Sequence, residues 1–81
     1  MPKPGFATEK WRKRASQSRN INRRLWFDPE SGYEYEPCNE AGKRLKGYWH
    51  EIDARNETYR NIDPETGQPI AGEDGEWKRL K

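Results

Sequence analysis

The pentapeptide Asp-Pro-Glu-Ser/Thr-Gly occurs twice in this chain, at Asp28 to Gly32 and at Asp63 to Gly67. Each copy lies between short stretches rich in aromatic or branched residues, and that setting marks a hairpin tip. Pro29 and Pro64 pre-set φ for the first corner of a type I turn. Gly32 and Gly67 supply the positive φ that re-aims the chain, and the leading aspartates cap the turn through their side chains. Two such tips predict a mainly β fold, a small twisted antiparallel sheet of β-hairpins.

The strands follow from the residues around the tips. Arg24 to Phe27 and Tyr33 to Glu36 flank the first turn, and the alternation in the second places Tyr33 and Tyr35 on one face. Pro37 ends that strand and Asn39 to Gly42 reads as a loop. Lys43 to Ile52 reads as a third strand, with Leu45 and Trp49 on one face and Tyr48, His50 and Ile52 on the other. Thr58 to Ile62 is a fourth, Gln68 to Ala71 returns after the second turn, and Gly72 to Gly75 turns into a closing segment, Trp77 to Leu80. The expected core is Leu25, Phe27, Tyr35, Leu45, Trp49, Tyr59, Ile62, Ile70 and Trp77.

Composition limits how large that core can be. The chain has 81 residues, of which 30% are hydrophobic and 37% charged, so it borders on the disordered regime. Four Trp, four Tyr and two Phe oppose disorder, since each buries roughly 150–250 Å². One thin domain is the expectation. Cys38 is the single cysteine, so no intrachain disulfide forms. No apolar run is long enough for a signal peptide or a membrane span.

Charge is distributed unevenly. Residues 1–27 carry eight Lys or Arg against one acid, while residues 28–81 carry eight against thirteen acids. This divides the chain into a basic N-terminal arm over residues 1–21 and a sheet domain over residues 22–81. Thr8 can cap a short helix running through Trp11 and Ala15 to about Ser18; a solvated basic tail is the other reading of the same residues. Lys10, Trp11, Arg12, Lys13, Arg14, Arg19, Arg23, Arg24 and Trp26 interleave cations with two indoles, the pattern that pairs phosphates and stacks bases. RNA or a ribosome is the expected partner.

The stretch from Ile62 to Asp74, followed by the basic finish at Lys78, Arg79 and Lys81, resembles the end of the cytotoxic ribonuclease domain of the ribosome-cleaving colicins and cloacin. That family ends in a similar Phe-Asp-Pro-x-Thr-Gly-x-x-Leu-x-Gly-x-Asp stretch ahead of a basic tail. The resemblance implies a strongly twisted antiparallel sheet with a short N-terminal helix. It also implies a bacteriocin-type toxin that cleaves ribosomal RNA without a cofactor, acts in the cytoplasm of a target cell, and is neutralised by a small acidic immunity protein. Tyr33-Glu34-Tyr35-Glu36 matches the entry to the family's catalytic cluster, but Pro37-Cys38-Asn39-Glu40 follows it and contains no histidine. Among the family's catalytic positions, only a terminal cation, Arg79, has a counterpart here.

Cleaving RNA by transesterification requires a base for the 2′-OH proton, an acid for the leaving 5′-oxygen, and cations on the phosphate. The single histidine, His50, stands in sequence beside Glu51, Asp53 and Arg55, and these four with Arg79 form the candidate catalytic set. Strand alternation sends Glu51 and Asp53 to the face opposite His50 unless the chain turns near Ile52. One Cys and one His cannot make a closed zinc site, so no metal is expected. The competing reading is non-enzymatic: a small phage or ribosome-associated protein whose arm binds nucleic acid or a large assembly such as a virion or polymerase, inside the host cell.

Overall fold

The computed structural model describes residues 3–38 and 47–80. Six strands form one antiparallel sheet in simple chain order: β1 (Arg12–Ala15), β2 (Arg24–Phe27), β3 (Glu34–Pro37), β4 (Trp49–Asp53), β5 (Thr58–Ile62) and β6 (Lys78–Arg79). A 3-10 turn over Gly72–Gly75 precedes β6. The mainly β, hairpin-built sheet expected from the two pentapeptides is what the chain forms.

Both pentapeptides fold alike. Gly32 and Gly67 take φ of +81° and +77°, a region that side-chain-bearing residues rarely occupy. In each turn the glycine N–H donates to the leading aspartate's carbonyl, at 2.8 and 2.7 Å. Asp28 and Asp63 accept the N–H of Glu30 and Glu65 on their carboxylates at 2.9 and 2.8 Å. Their surroundings differ. A Cβ on Gly32 would meet nothing, whereas one on Gly67 would lie 2.8 Å from the Phe6 ring. The second tip is therefore also a docking surface, and the Phe6 N–H bonds to the Pro64 carbonyl at 3.2 Å.

That contact explains the main correction to the sequence reading. The segment Thr8 to Ser18 forms no helix and no free tail; it contains β1, paired with β2 from Arg12↔Phe27 to Ala15↔Arg24. The chain before β1 covers one face of the sheet. There Trp11, only 4% exposed, packs with Tyr35, Trp49 and Ile62, and Phe6 and Trp26 pack against the group. Trp11 stacks on Tyr35 with ring centroids 4.5 Å apart and planes 12° from parallel, and Phe6 meets both rings edge-on. The connection between β1 and β2 crosses to the opposite face, where Ile21, Leu25 and Ile52 form a second cluster beneath Tyr59 and Leu80. Ser18 and Asn20 fasten this connection by donating to Glu57 at 2.6 and 2.7 Å.

The basic opening is thus sheet cover, and the helical reading fails because Phe6, Trp11 and Ile21 are apolar anchors spread among the cations. Leu25, Tyr35, Trp49 and Ile62 are buried as expected. Phe27, Tyr59 and Ile70 are half-buried, and Trp77, expected in the core, is 38% exposed. Gln68 to Ala71 makes only an isolated bridge, Ile62↔Pro69. The expected loop from Asn39 to Gly42, and Leu45, lie outside the described residues. No helix among the described residues is long and apolar enough to cross a membrane.

Candidate active site

Register places the chemistry. β3 and β4 pair antiparallel so that Tyr35 stands opposite Glu51, and Glu36 opposite His50. Side chains alternate along a strand, so the first pair lies on the face with Trp11 and the second on the face with Leu25 and Ile52. His50 and Glu51, neighbours in sequence, therefore serve opposite sides of the sheet.

On the Leu25 face, Glu36 is buried while Arg23, from the end of the β1–β2 connection, reaches it from solvent. The Arg23 guanidinium grips the carboxylate with two donors, Nε to Oε1 at 2.7 Å and Nη2 to Oε2. His50 Nδ1 stands 3.8 Å from Glu36 Oε2, longer than a hydrogen bond. The imidazole is tilted against the Tyr59 ring, 4.8 Å between centroids, and its buried Nε2 has no protein partner. Burial alone pushes the Glu36 carboxyl up, but His50 and Arg23 together outweigh it and hold the group below its ordinary value. Hydrogen bonding to Glu36 raises Arg23 in turn.

These groups line an open cleft of about 260 Å³, whose walls also include Ile52, Tyr59, Arg79 and Leu80. A carboxylate, an imidazole with an unused ring nitrogen, and two guanidinium-bearing residues therefore meet in one hollow. Such a set can accept a proton, deliver one, and hold a phosphate between them.

The sequence-predicted catalytic set is divided by the fold. His50 and Arg79 meet in the cleft; Glu51, Asp53 and Arg55 do not join them. Glu51 is buried on the other face, where it accepts from the Tyr35 hydroxyl at 2.7 Å and from Arg60 Nε at 2.6 Å. Asp53 and Arg55 line a separate polar hollow of about 310 Å³, together with Gln17, Ser31, Tyr33 and Asn56. There Asp53 is occupied in orienting Asn56, whose side-chain amide donates to it at 2.8 Å. Glu36 and Arg23 complete the site instead. Glu51 and Asp53 stand beside His50 along the chain, whereas Glu36 comes from across the ladder and Arg23 from the β1–β2 connection, and no local pattern in the sequence marks either.

The cations and indoles expected to bind nucleic acid are scattered over the sheet and its core. Trp11 is in the core and cannot stack a base. Lys10 pairs with Glu30 at 3.0 Å, and Arg23 belongs to the cleft. The Arg14 guanidinium lies 3.7 Å over the Phe27 ring. Lys3 and Lys13 flank the half-buried Trp26 ring at 5.2 and 5.5 Å. Arg12, Arg19 and Arg24 are exposed, and Arg24 donates to the Lys13 carbonyl at 3.1 Å. Among the described residues no group of three or more His, Cys, Asp or Glu side chains is placed to hold a metal ion.

Comparison with protein-family models, with curated proteins and with solved structures gives no match for this chain.

Proposed function

We propose that the protein is an endoribonuclease of the toxin type, and that its phosphodiester chemistry takes place in the Glu36–His50 cleft. The observation that carries this reading is the buried Glu36 carboxylate facing an imidazole with a free nitrogen, with Arg23 and Arg79 at the same hollow. Glu36 takes the proton from a ribose 2′-OH, and the freed oxygen attacks the adjacent phosphorus. The bond from phosphorus to the 5′-oxygen breaks, and the His50 ring at the cleft wall gives that oxygen a proton. The products are a 2′,3′-cyclic phosphate and a 5′-hydroxyl end. Arg23 and Arg79 balance the charge that grows on the phosphoryl oxygens. Holding Glu36 below its ordinary value keeps it ionised and able to accept, at some cost in basicity.

The resemblance of Ile62 to Asp74 to the ribosome-cleaving colicins favours ribosomal RNA as substrate, in the cytoplasm of a target cell. On this reading an acidic immunity protein is the natural inhibitor. A non-enzymatic role, as a phage or ribosome-associated binder, has one observation in its favour: Arg23 already occupies Glu36 on both oxygens, as a purely structural ion pair would. End-group analysis of RNA incubated with the purified chain separates the two. Cyclic phosphate ends that disappear in Arg79→Ala and His50→Ala support the enzyme, and intact RNA at high protein concentration supports the binder.

A further inference from the structure

Buried polar atoms are nearly always paired, yet among the described residues Arg14 Nε, Trp26 Nε1, His50 Nε2 and Asn61 Oδ1 are buried without a hydrogen-bond partner. The first two sit on β1 and β2 and can only donate, so they cannot serve each other. The other two belong to residues that stand opposite one another, since His50 and Asn61 are partners in the β4–β5 ladder. Their side chains share the Leu25 face. Ile62, the next residue after Asn61, packs with Trp11 on the other face, and alternation returns Asn61 to the side of His50.

Asn61 has little freedom to move. It is only 4% exposed. Its backbone carbonyl accepts the Ile70 N–H at 3.0 Å, and its side-chain amide donates to the Asp74 carbonyl at 3.0 Å. The 3-10 turn that carries Asp74 is tight against the preceding chain, where a Cβ on Gly75 would lie 1.8 Å from the Ile70 carbonyl oxygen. Only the amino end of an amide can donate to a carbonyl, so the Asp74 contact fixes which atom is left over. That atom is Oδ1, which accepts and never donates.

Glu36, His50 and Asn61 thus form one row across β3, β4 and β5. Cβ atoms in such cross-strand pairs lie about 4.5–5.5 Å apart, a span that two polar side chains close directly or with one water between them. The imidazole has an acceptor on either side, the Glu36 carboxylate toward Nδ1 and the Asn61 amide oxygen across the other ladder. A ring nitrogen beside a fixed acceptor keeps its hydrogen, and the other nitrogen becomes the one that trades protons.

We infer that Asn61 is the positioning residue of the cleft: its Oδ1 accepts from His50 Nε2, directly or through one water, and leaves Nδ1 as the nitrogen that gives up a proton. The catalytic consequence rests on the RNA reading of the cleft; the pairing itself belongs to the free chain. In the cleavage step His50 passes the Nδ1 hydrogen to the 5′-oxygen and keeps the one on Nε2, so the ring ends neutral and in a single tautomer.

His50 is the only histidine, so its ring signals in a nitrogen-15-labelled chain are read without ambiguity. Long-range proton–nitrogen correlation spectra, at a pH high enough to leave one hydrogen on the ring, report which nitrogen carries it. In the wild type it is Nε2. Asn61→Leu, which keeps the volume and removes the acceptor, moves the hydrogen in large part to Nδ1. Asn61→Asp, which keeps an acceptor and loses the donor to Asp74, returns it to Nε2. A wild-type ring with its hydrogen on Nδ1 overturns the pairing whether or not the variants fold, and so does a signature that Asn61→Leu leaves unchanged. In cleavage assays Asn61→Leu lowers kcat by on the order of ten-fold with KM unchanged, and Asn61→Asp recovers most of the loss. Equal losses in the two variants would assign Asn61 to holding the 3-10 turn, since both lose the bond to Asp74, and would remove the positioning role. The Nε2 signature without cleavage by the wild type removes the enzyme reading and leaves the pairing standing. Cleavage that needs His50 but is as fast in Asn61→Leu as in the wild type removes the positioning role alone.

Discussion

Two glutamates, one strand apart, are buried on opposite faces of the sheet with nearly the same partners. Glu51 has a ring hydroxyl, Tyr35, and an arginine, Arg60; Glu36 has an imidazole, His50, and an arginine, Arg23. Both arise from one event, the antiparallel pairing of Tyr35-Glu36 with His50-Glu51, which hands each carboxylate the ring of the opposite strand. What differs is the remaining capacity. Around Glu51 the Tyr35 hydroxyl and Arg60 Nε are both bonded, and only 24% of the Arg60 side chain is exposed. Around Glu36, His50 Nε2 is unbonded, 58% of Arg23 is exposed and a cleft opens beside them. A satisfied polar centre holds a sheet together, whereas one with a spare donor or acceptor can act on something else.

If that distinction is right, catalysis separates the two centres most widely. Glu36→Gln and His50→Ala each reduce RNA cleavage by on the order of 10²- to 10⁴-fold, while Tyr35→Phe, on the other face, retains wild-type cleavage per folded molecule. Comparable losses for Tyr35→Phe and Glu36→Gln would erase the contrast.

Stability should run in the opposite order. Glu51→Ala leaves the Tyr35 hydroxyl without its acceptor in the interior and the partly exposed Arg60 guanidinium without its carboxylate, and is expected to cost about 3 kcal/mol. Glu36→Ala leaves Arg23 mostly in water and costs about 1 kcal/mol. Urea midpoints at neutral pH measure both. Removing the Tyr35 hydroxyl alone, as Tyr35→Phe, lies near 1.5 kcal/mol, because its bond is to a charged acceptor. Burial is the main reason that hydroxyl resists ionisation, with its bond to Glu51 acting in the same direction.

How far these centres could be seen in the sequence follows from the range of the forces that make them. The two turns are local, written in Pro29, Gly32, Pro64 and Gly67, and the strands beside them follow from alternation. Alternation also warned that Glu51 and Asp53 would leave His50. It could not say what replaces them, because Glu36 comes to His50 through strand register and Arg23 through the path of the β1–β2 connection. Register depends on how a whole face packs. The opening segment was hidden for a related reason: eight cations by residue 27 dominate its composition, while Phe6, Trp11 and Ile21 decide where it goes.

The smallest expected effect is the pH dependence of the Glu36 centre, and its sign is fixed. Folding holds the Glu36 carboxyl below its ordinary value of 4.5, so the folded state binds this proton less readily than the unfolded chain does. The stabilisation is complete above the ordinary value and disappears as pH falls through the lower, folded value. Glu57, held down chiefly by the Ser18 hydroxyl and the Asn20 amide, contributes in the same direction, so acid destabilisation of the wild type alone does not single out Glu36. The difference between wild type and Glu36→Gln does. Denaturation midpoints for the two chains should converge as pH is lowered from about 5 to about 2. A gap that stayed constant over that range would mean that Glu36 is not held down in the folded chain, and its claim to be the ionised, ready acceptor of the cleft would be lost.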